Sequence, residues 1–371
     1  MVKVCHMASA HNRYDGRIFR KECVSLANNG YEVYLVVNDS YGDEIKDRVK
    51  IRSTKLTPKN RFERMILSQK NIYKKAIEID ADIYHFHDPE LLFLGLKLKK
   101  RGKKVIFDSH EGYFLQIKEK YYIPKLLRNF VANIYNIIET YICKRIDAVI
   151  VPCGTNGKTI FDGRAQLVEC INNVPILDEF YNKYEEKENK NKDIICYTGA
   201  ITYERGIEHI IKAAHKSNSR LILAGNIINN EFKSKIFSIP EHNCIDYKGI
   251  LSIEEISDIY KCSYIGMCTI LNVGQYNKGD NFATKVYEYM AMGIPAIISD
   301  SPYVQKIFSE YEFGIAVDPD SINDIVSSIN YLKVNENIAK RMGENGRKAI
   351  AERFNWKIEE KKLLELYKKI V

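Results

Sequence analysis

Residues 280–300 read DNFATKVYEYMAMGIPAIISD, and the order of events within them decides the fold class. Residues 280–284 form a short polar loop. Residues 285–292 carry helical spacing, with Val286, Tyr289 and Met290 on one side and Lys285 and Glu288 on another. Gly293 suits the position just past a helix, and Pro295 does not continue one. The apolar run AIIS at residues 296–299 then predicts a strand buried on both faces of a parallel sheet.

A loop that feeds a helix presents unpaired N–H groups and a partial positive charge, which suits a phosphate. Phe282, Ala283 and Thr284 would supply those N–H groups, and Lys285 adds a full charge. Glu288 lies one turn further on, where a carboxylate can accept hydrogen bonds from the two hydroxyls of a ribose. The stretch therefore reads as a nucleotide-diphosphate site without a P-loop. On physics alone, an ordinary amphipathic helix of an α/β domain explains it equally well.

Asp280 and Glu288, with seven residues between them, and the run YEYMAMGIPAIIS resemble the paired-acid motif of retaining GT-B glycosyltransferases of family four (glycosyl transferases group 1). That motif usually continues E-A-M-A-x-G-x-P-V-I. The resemblance implies an α/β fold of two Rossmann-like domains facing a central cleft, with a C-terminal helix crossing back to the N-terminal domain. It gives Glu288 the nucleotide ribose and turns Asp280 toward the donor sugar. The family usually has Glu at the first position; Asp280 is one methylene shorter.

A chain of 371 residues suits two domains better than one. No apolar run approaches the roughly 20 residues that span a bilayer. The opening MVKVCHMASAHN is too short and polar for a signal peptide, so a cytoplasmic protein is expected. Nine scattered cysteines without a CxxC pair are then expected to be reduced, and no metal site is indicated. The net charge of +8 fits an anionic membrane face or simply a lysine-rich composition. No aromatic–basic RNA motif accompanies it, which argues against nucleic acid.

In the first half, residues 2–7 (VKVCHM) and 31–37 (YEVYLVV) read as strands around a loop and a helix at 18–28. This is the opening of a Rossmann-like half, but without GxGxxG. The pattern His11, Asp15, Arg17, Ile18, Phe19, Lys21, Glu22 resembles the opening of the family's polysaccharide-assembly members, whose first loop lines the acceptor side. Asp15 and Arg17 are thereby candidates for acceptor hydroxyl or phosphate contacts. The alternative is an aspartate bonding its own backbone and a surface arginine.

Residues 82–87 (DIYHFH) end in His87, Asp88 and Pro89, and residues 104–108 (KVIFD) end in Ser109, His110 and Glu111. Both triplets fall at strand C-terminal ends, where open α/β sheets place their ligand crevice. The resemblance sets His110 against the donor sugar, with Glu111, His87 and Asp88 as further candidates on the acceptor side. Residues 121–144 predict a long helix with Leu126, Leu127, Phe130, Ile134, Ile137, Ile138, Tyr141 and Ile142 at core spacing. Lys118, Lys120, Lys125, Arg128, Lys144 and Arg145 decorate it. A packed helix with a solvated basic face is the plainer reading, and a helix resting on an anionic membrane the other.

The run GTNGKT at 154–159 looks like a phosphate loop and resembles that of the Mur ligases. A P-loop, however, needs Gly five positions before the Gly-Lys pair, where this chain has Pro152. It is expected to be a loop into a short helix. The charged run NKYEEKENKNK at 182–192 is the one clear composition break. It is expected to link residues 1–181, joined by 355–371, to residues 193–354.

The second half restarts with a strand at 193–198 (DIICYT) and a loop at 199–206 (GAITYERG). The loop resembles the family's G-R-L-x-x-x-K-G, whose Arg and Lys hold the donor pyrophosphate. It opens at Gly199, has Ala200 at the Arg position and Arg205 at the Lys position. One usual cation is missing, and Lys285 is expected to replace it. Arg205 can grip phosphate oxygens bidentately. By the same resemblance Ile250 lies beside the nucleotide base.

The expected activity is retaining transfer of a sugar from a nucleotide diphosphate sugar, UDP-type favoured, with no further cofactor. The acceptor would be a glycan or polyprenyl-linked molecule of bacterial surface polysaccharide or capsule synthesis, reached from the cytoplasmic side of the inner membrane. Alternatives are a GT-B sugar-nucleotide epimerase, a hydrolase or phosphorylase, and a catalytically degenerate partner subunit suggested by Asp280 and Ala200.

Overall fold

The computed structural model describes residues 1–57, 63–110, 112–119, 123–155, 157–185, 191–273 and 279–371, the side chains of 64, 65 and 119 excepted. They fall into two compact units, Met1–Asn173 with Lys357–Val371, and Val174–Trp356.

The sheet of the first unit is built from β1 (Lys3–Ala8), β2 (Glu32–Val37), β3 (Glu44–Lys46), β4 (Val49–Ser53), β5 (Ile83–Phe86), β6 (Lys104–Asp108), β7 (Ala148–Val151) and β8 (Val168–Cys170). Its order is β3-β4-β2-β1-β5-β6-β7-β8. Every pairing is parallel except the β3–β4 hairpin, which the sequence reading did not foresee. The second unit holds β9 (Ile194–Thr198), β10 (Arg220–Ala224), β11 (Ile245–Gly249), β12 (Ile265–Cys268), β13 (Ala296–Ser299) and β14 (Gly314–Val317). Their order is β11-β10-β9-β12-β13-β14, all parallel.

Both sheets reverse direction beside their first strand: β1 lies between β2 and β5, and β9 between β10 and β12. That reversal opens a crevice at the strand C-terminal ends. The central strands are mostly apolar because helices cover both faces, with His6 on β1, His85 on β5 and Asp108 on β6 among the exceptions. All four residues of β5, β7, β12 and β13 are buried.

Three expectations need correction. The domain boundary follows Asn173 rather than the charged run at 182–192, of which residues 186–190 lie outside the described residues. Val174 and Phe180 belong to the apolar core of the second unit, where Phe180 meets the ring of Tyr260. Composition marks where a chain is solvated, and here solvation begins several residues after the core has changed.

The run at 154–159 is also not a loop into a helix. Thr155 and Lys158 pair as a tight turn, each backbone N–H donating to the other's carbonyl at 2.7 and 3.1 Å. The described residues that follow are turns, and Asn156 lies outside the description.

The third correction concerns the helix Lys125–Cys143. Of the eight positions expected in the core, Ile142 is buried and Ile138 half-buried. Leu126 is 95% exposed, Ile137 67% and Phe130 64%, and Leu127, Ile134 and Tyr141 are exposed as well. The side that packs inward carries Ala132, Glu139, Ile142 and Cys143. Glu139 is satisfied there by the hydroxyl of Tyr135 at 2.7 Å and by Arg164 at 2.7 Å. Periodicity found a two-sided helix, and it is the more apolar side that faces out.

Candidate functional site

In the second unit the site grows from the end of β9. After Thr198 the chain turns at Gly199 with φ +113°, and the neighbouring β10 ends at Gly225 with φ +139°. A Cβ on Gly225 would collide with the carbonyl of Gly199. Only glycine accepts both the angle and the approach. The strand ends are thereby cleared of side chains, and Lys285 fills the space: its Nζ lies 3.2 Å from where a Cβ of Gly199 would stand.

Lys285 sits in the first turn of the helix Thr284–Ala291 and is 6% exposed. Its ammonium lies 3.8 Å from the centre of the Tyr197 ring, which partly replaces the lost water. Burial pushes its pKa down to about 8, with the charge of Arg205 acting the same way and Glu288 opposing. These mutual effects bring guanidinium, ammonium and carboxylate into one electrostatic neighbourhood. Glu288 is held one turn on by the hydroxyl of Tyr260 at 2.5 Å, and that hydroxyl also meets Thr198 Oγ1 at 2.5 Å. Tyr260 thus ties the ribose candidate to the end of β9. No local signal in the sequence marks Tyr197 or Tyr260; a strand and a helix far apart in the chain deliver them.

The other expected donor residues sort by geometry. Thr284 is exposed at the helix start, and Ala283 caps it with extended backbone. The N–H of Phe282 is corrected: it donates to Tyr287 Oη at 3.2 Å, and its ring is buried against Tyr303, Phe313 and Phe354. It organises the loop rather than facing a ligand. Asp280 is half-buried in a bend just before the helix, and Ile250 is exposed after β11.

In the first unit His110 stands at the end of β6 with 22% of its side chain exposed. Its Nε2 lies 3.0 Å from Asp108 Oδ2 and 3.3 Å from His87 Nδ1. Asp108 has no exposure, and burial alone would raise its pKa. The charge of Arg17, joined by His110 and by the hydrogen bonds of His110 and His87, more than offsets this and holds the carboxylate well below its usual range.

Arg17 and His87 are corrected as acceptor contacts. Arg17 is 4% exposed; its Nε and Nη2 grip both oxygens of Asp108 at 2.8 and 3.0 Å, and its Nη1 donates to the Ile171 carbonyl at 2.9 Å. His87 is buried between His6 and Asp108, and that burial lowers its pKa to about 4. Asp15 behaves as the aspartate of its own loop, accepting the N–H groups of Arg17 and Ile18 at 2.9 and 3.0 Å. Asp88 accepts those of Ser9 and Ala10 at 2.6 and 3.1 Å, so it pins the first loop from below. Glu111 lies outside the described residues.

Comparison with known proteins agrees with this division. Residues 17–171 match the family described as Glycosyltransferase Family 4, and residues 179–349 match Glycosyl transferases group 1. An uncharacterized glycosyltransferase of Methanocaldococcus jannaschii, MJ1069, is 25% identical over 315 residues, 81% of this chain and 77% of that one. Among solved structures, sucrose-phosphate synthase from Thermosynechococcus elongatus aligns over 100% of this chain and 99% of its own, with a TM-score of 0.78 and 16% identity. HepE of Anabaena, solved in complex with UDP-glucose, aligns over 100% of both chains with a TM-score of 0.72 and 12% identity.

Proposed function

The chain belongs to the family 4 glycosyltransferases of the GT-B fold, and from that premise we propose that its donor is a UDP-sugar held by the second unit. The observation that supports the reading is Lys285 held against Gly199 at the end of β9, with Arg205 and Glu288 both near enough to act on its charge. Two cations suit a diphosphate, and a carboxylate tied down by a tyrosine suits the vicinal hydroxyls of ribose. The HepE structure holding UDP-glucose supports the choice of base.

In the reaction the bond from the anomeric carbon to the diphosphate breaks and a bond to an acceptor hydroxyl oxygen forms. Negative charge grows on the leaving diphosphate. Lys285, Arg205 and the free N–H groups at the start of the helix Thr284–Ala291 would stabilise that charge electrostatically. Asp280 is assigned to the transferred sugar, and retention of its configuration is part of the proposal.

A panel of UDP, GDP, ADP and CMP, read by thermal shift, tests the donor reading. UDP is expected to raise the midpoint most, because a ligand of the native state stabilises it by mass action. A preference for another nucleotide would move the assignment of the base, and no shift with any would sink the donor site. UDP-sugar turned over in the absence of any acceptor would favour an epimerase instead.

The acceptor is proposed to be a glycan or polyprenyl-linked molecule of surface polysaccharide synthesis, met at the cytoplasmic face of a membrane. Among the described residues no helix is long and apolar enough to cross a bilayer. The helix Lys125–Cys143 instead offers an interfacial surface: Leu126, Phe130, Ile134, Ile137 and Tyr141 recur along one exposed stripe, with Lys125, Lys144 and Arg145 at its ends. Apolar contact plus basic flanks is the composition of a helix lying on anionic lipid. Flotation with phosphatidylglycerol vesicles should recover the protein, and Phe130→Glu with Ile137→Glu should abolish recovery without loss of fold. Equal recovery of that double variant would remove this surface from the proposal.

A further inference from the structure

The first unit buries more nitrogen and oxygen than its hydrogen bonds can satisfy. His6 on β1 and His85 on β5 are register partners of adjacent parallel strands, so their rings lie side by side, 4.5 Å between centres. His87 follows two residues on, on the same face of its strand, with its ring 4.6 Å from that of His85. Glu22 reaches the same point from the helical segment that follows the first loop. All four are fully buried or nearly so, at 0% for His6, His85 and Glu22 and 2% for His87.

We infer that His6, Glu22, His85 and His87 form a buried site for one divalent transition-metal ion, with zinc the ion that fits best. Each offers one ligand atom, and these atoms all lie within 4.8 Å of one another. His6 Nδ1 and His87 Nε2 are 3.0 Å apart, and Glu22 Oε2 is 3.9 Å from both His85 Nε2 and His87 Nε2. Donor atoms on a tetrahedral zinc stand about 3.3 Å from one another, given bonds of roughly 2.0–2.1 Å. The shortest pair is already at that spacing, and the widest must close by up to about 1.5 Å, shared between two side chains, to meet an ion.

Two further observations point to an ion. Glu22 Oε2 and His85 Nε2 are buried without a hydrogen-bond partner. A carboxylate oxygen left so in the core is costly, and a cation removes the cost. The outward nitrogen of each histidine is also already occupied. His87 Nδ1 lies 3.2 Å from Asp108 Oδ2, His85 Nδ1 lies 2.8 Å from Tyr367 Oη, and His6 Nε2 lies 3.3 Å from the same hydroxyl. Such partners fix the tautomer that aims the other nitrogen at a metal. Arg17 Nε, 3.1 Å from Glu22 Oε1, occupies the side of the carboxylate away from the histidines.

Three imidazoles and a carboxylate suit zinc better than magnesium or calcium, which prefer oxygen donors. With four protein ligands and no exposure, the site is closed, so its role is structural. It would join β1, β5 and the first helical segment, with the C-terminal helix Trp356–Ile370 supplying Tyr367 behind it.

The test is metal content. Protein expressed in zinc-supplemented medium and freed of loosely bound metal should carry about one ion per chain by plasma mass spectrometry. Refolded with cobalt(II), it should show the intense visible bands of tetrahedral coordination. His85→Asn and, as a near-isosteric second variant, Glu22→Gln should each lose the ion while circular dichroism still reports a folded chain. Cys262→Ser should keep it, since Cys262 is the exposed cysteine and the obvious adventitious ligand. Metal-free wild type after zinc-rich growth, absence of the cobalt bands after refolding, or metal that survives Glu22→Gln would each overturn the site, leaving a hydrogen-bonded core with a protonated Glu22.

Discussion

The two sheets share the reversal of strand order beside their first strand and use their strand ends in opposite ways. Beneath the ends of β1, β5 and β6 the first unit sinks its ionisable groups: Arg17, Glu22, His85, His87 and Asp108 are all within 4% of full burial. Beside the ends of β9 and β10 the second unit removes side chains at Gly199 and Gly225 and brings cations to the space so made. In the first unit Arg17 and Asp108 pair with one another, and Asp88 holds a loop. In the second, Lys285 is buried beside Arg205, a like charge, with Glu288 opposing it. A topological crevice marks where a ligand can sit; the pairing of the charges decides whether it is built for architecture or for binding.

The comparison is broken most severely at Arg17. Arg17→Ala strands Asp108 in the core, and removing one partner of a buried pair costs about 3–5 kcal/mol. Denaturant unfolding should show that loss, and an unchanged midpoint would mean that Asp108 is satisfied by its histidines alone. Next comes Glu288→Ala, expected to reduce kcat/KM for the UDP-sugar by roughly 10–100-fold, the worth of hydrogen bonds to one charged group. Its stability should barely move, because Glu288 is only half-buried.

Lys285→Met sharpens the contrast, since binding and stability should change in opposite directions. Donor affinity should fall about tenfold, while the folded state gains about 1–3 kcal/mol from losing a desolvated charge. The pH dependence has a definite sign. The ammonium is present in the folded chain below about 8 and in the unfolded chain up to its ordinary value of 10.5. Between those values the unfolded chain binds more protons, so this residue's destabilising contribution shrinks as pH rises. Donor binding should weaken over the same rise, beginning near pH 8. A donor KM flat from pH 7 to 9.5 would remove Lys285 from the diphosphate. The smallest effect belongs to Lys158→Ala: the turn at Thr155 and Lys158 is held by backbone bonds, so activity and stability should stay within about 0.5 kcal/mol of wild type. A loss of nucleotide binding there would restore the phosphate-loop reading.

The sequence made the second unit's site far more legible than the first unit's. Lys285 and Glu288 sit within one helical turn of each other, so spacing alone places them on neighbouring positions of one surface. Gly199 and Arg205 lie in one loop, and family resemblance supplied the expectation that this loop meets the donor. In the first unit, His87 and Arg17 looked like surface candidates because strand ends and loops are usually solvated. Nothing local announced that Arg17 would turn inward to Asp108, 91 positions away in the chain. The helix Lys125–Cys143 failed for a related reason: periodicity reports that two faces differ, and only the neighbours decide which is covered.

The family resemblance named the candidate donor residues, and the alternation of apolar strands with helices and the breaks at glycine and proline fixed the α/β class before any coordinates. Those are short-range consequences of backbone geometry and of burial on both faces of a sheet. Which ionisable groups became core, where one unit gives way to the next, and which side of a helix meets water came only from the tertiary structure. These depend on desolvation, and desolvation is set by what long-range packing brings alongside each residue.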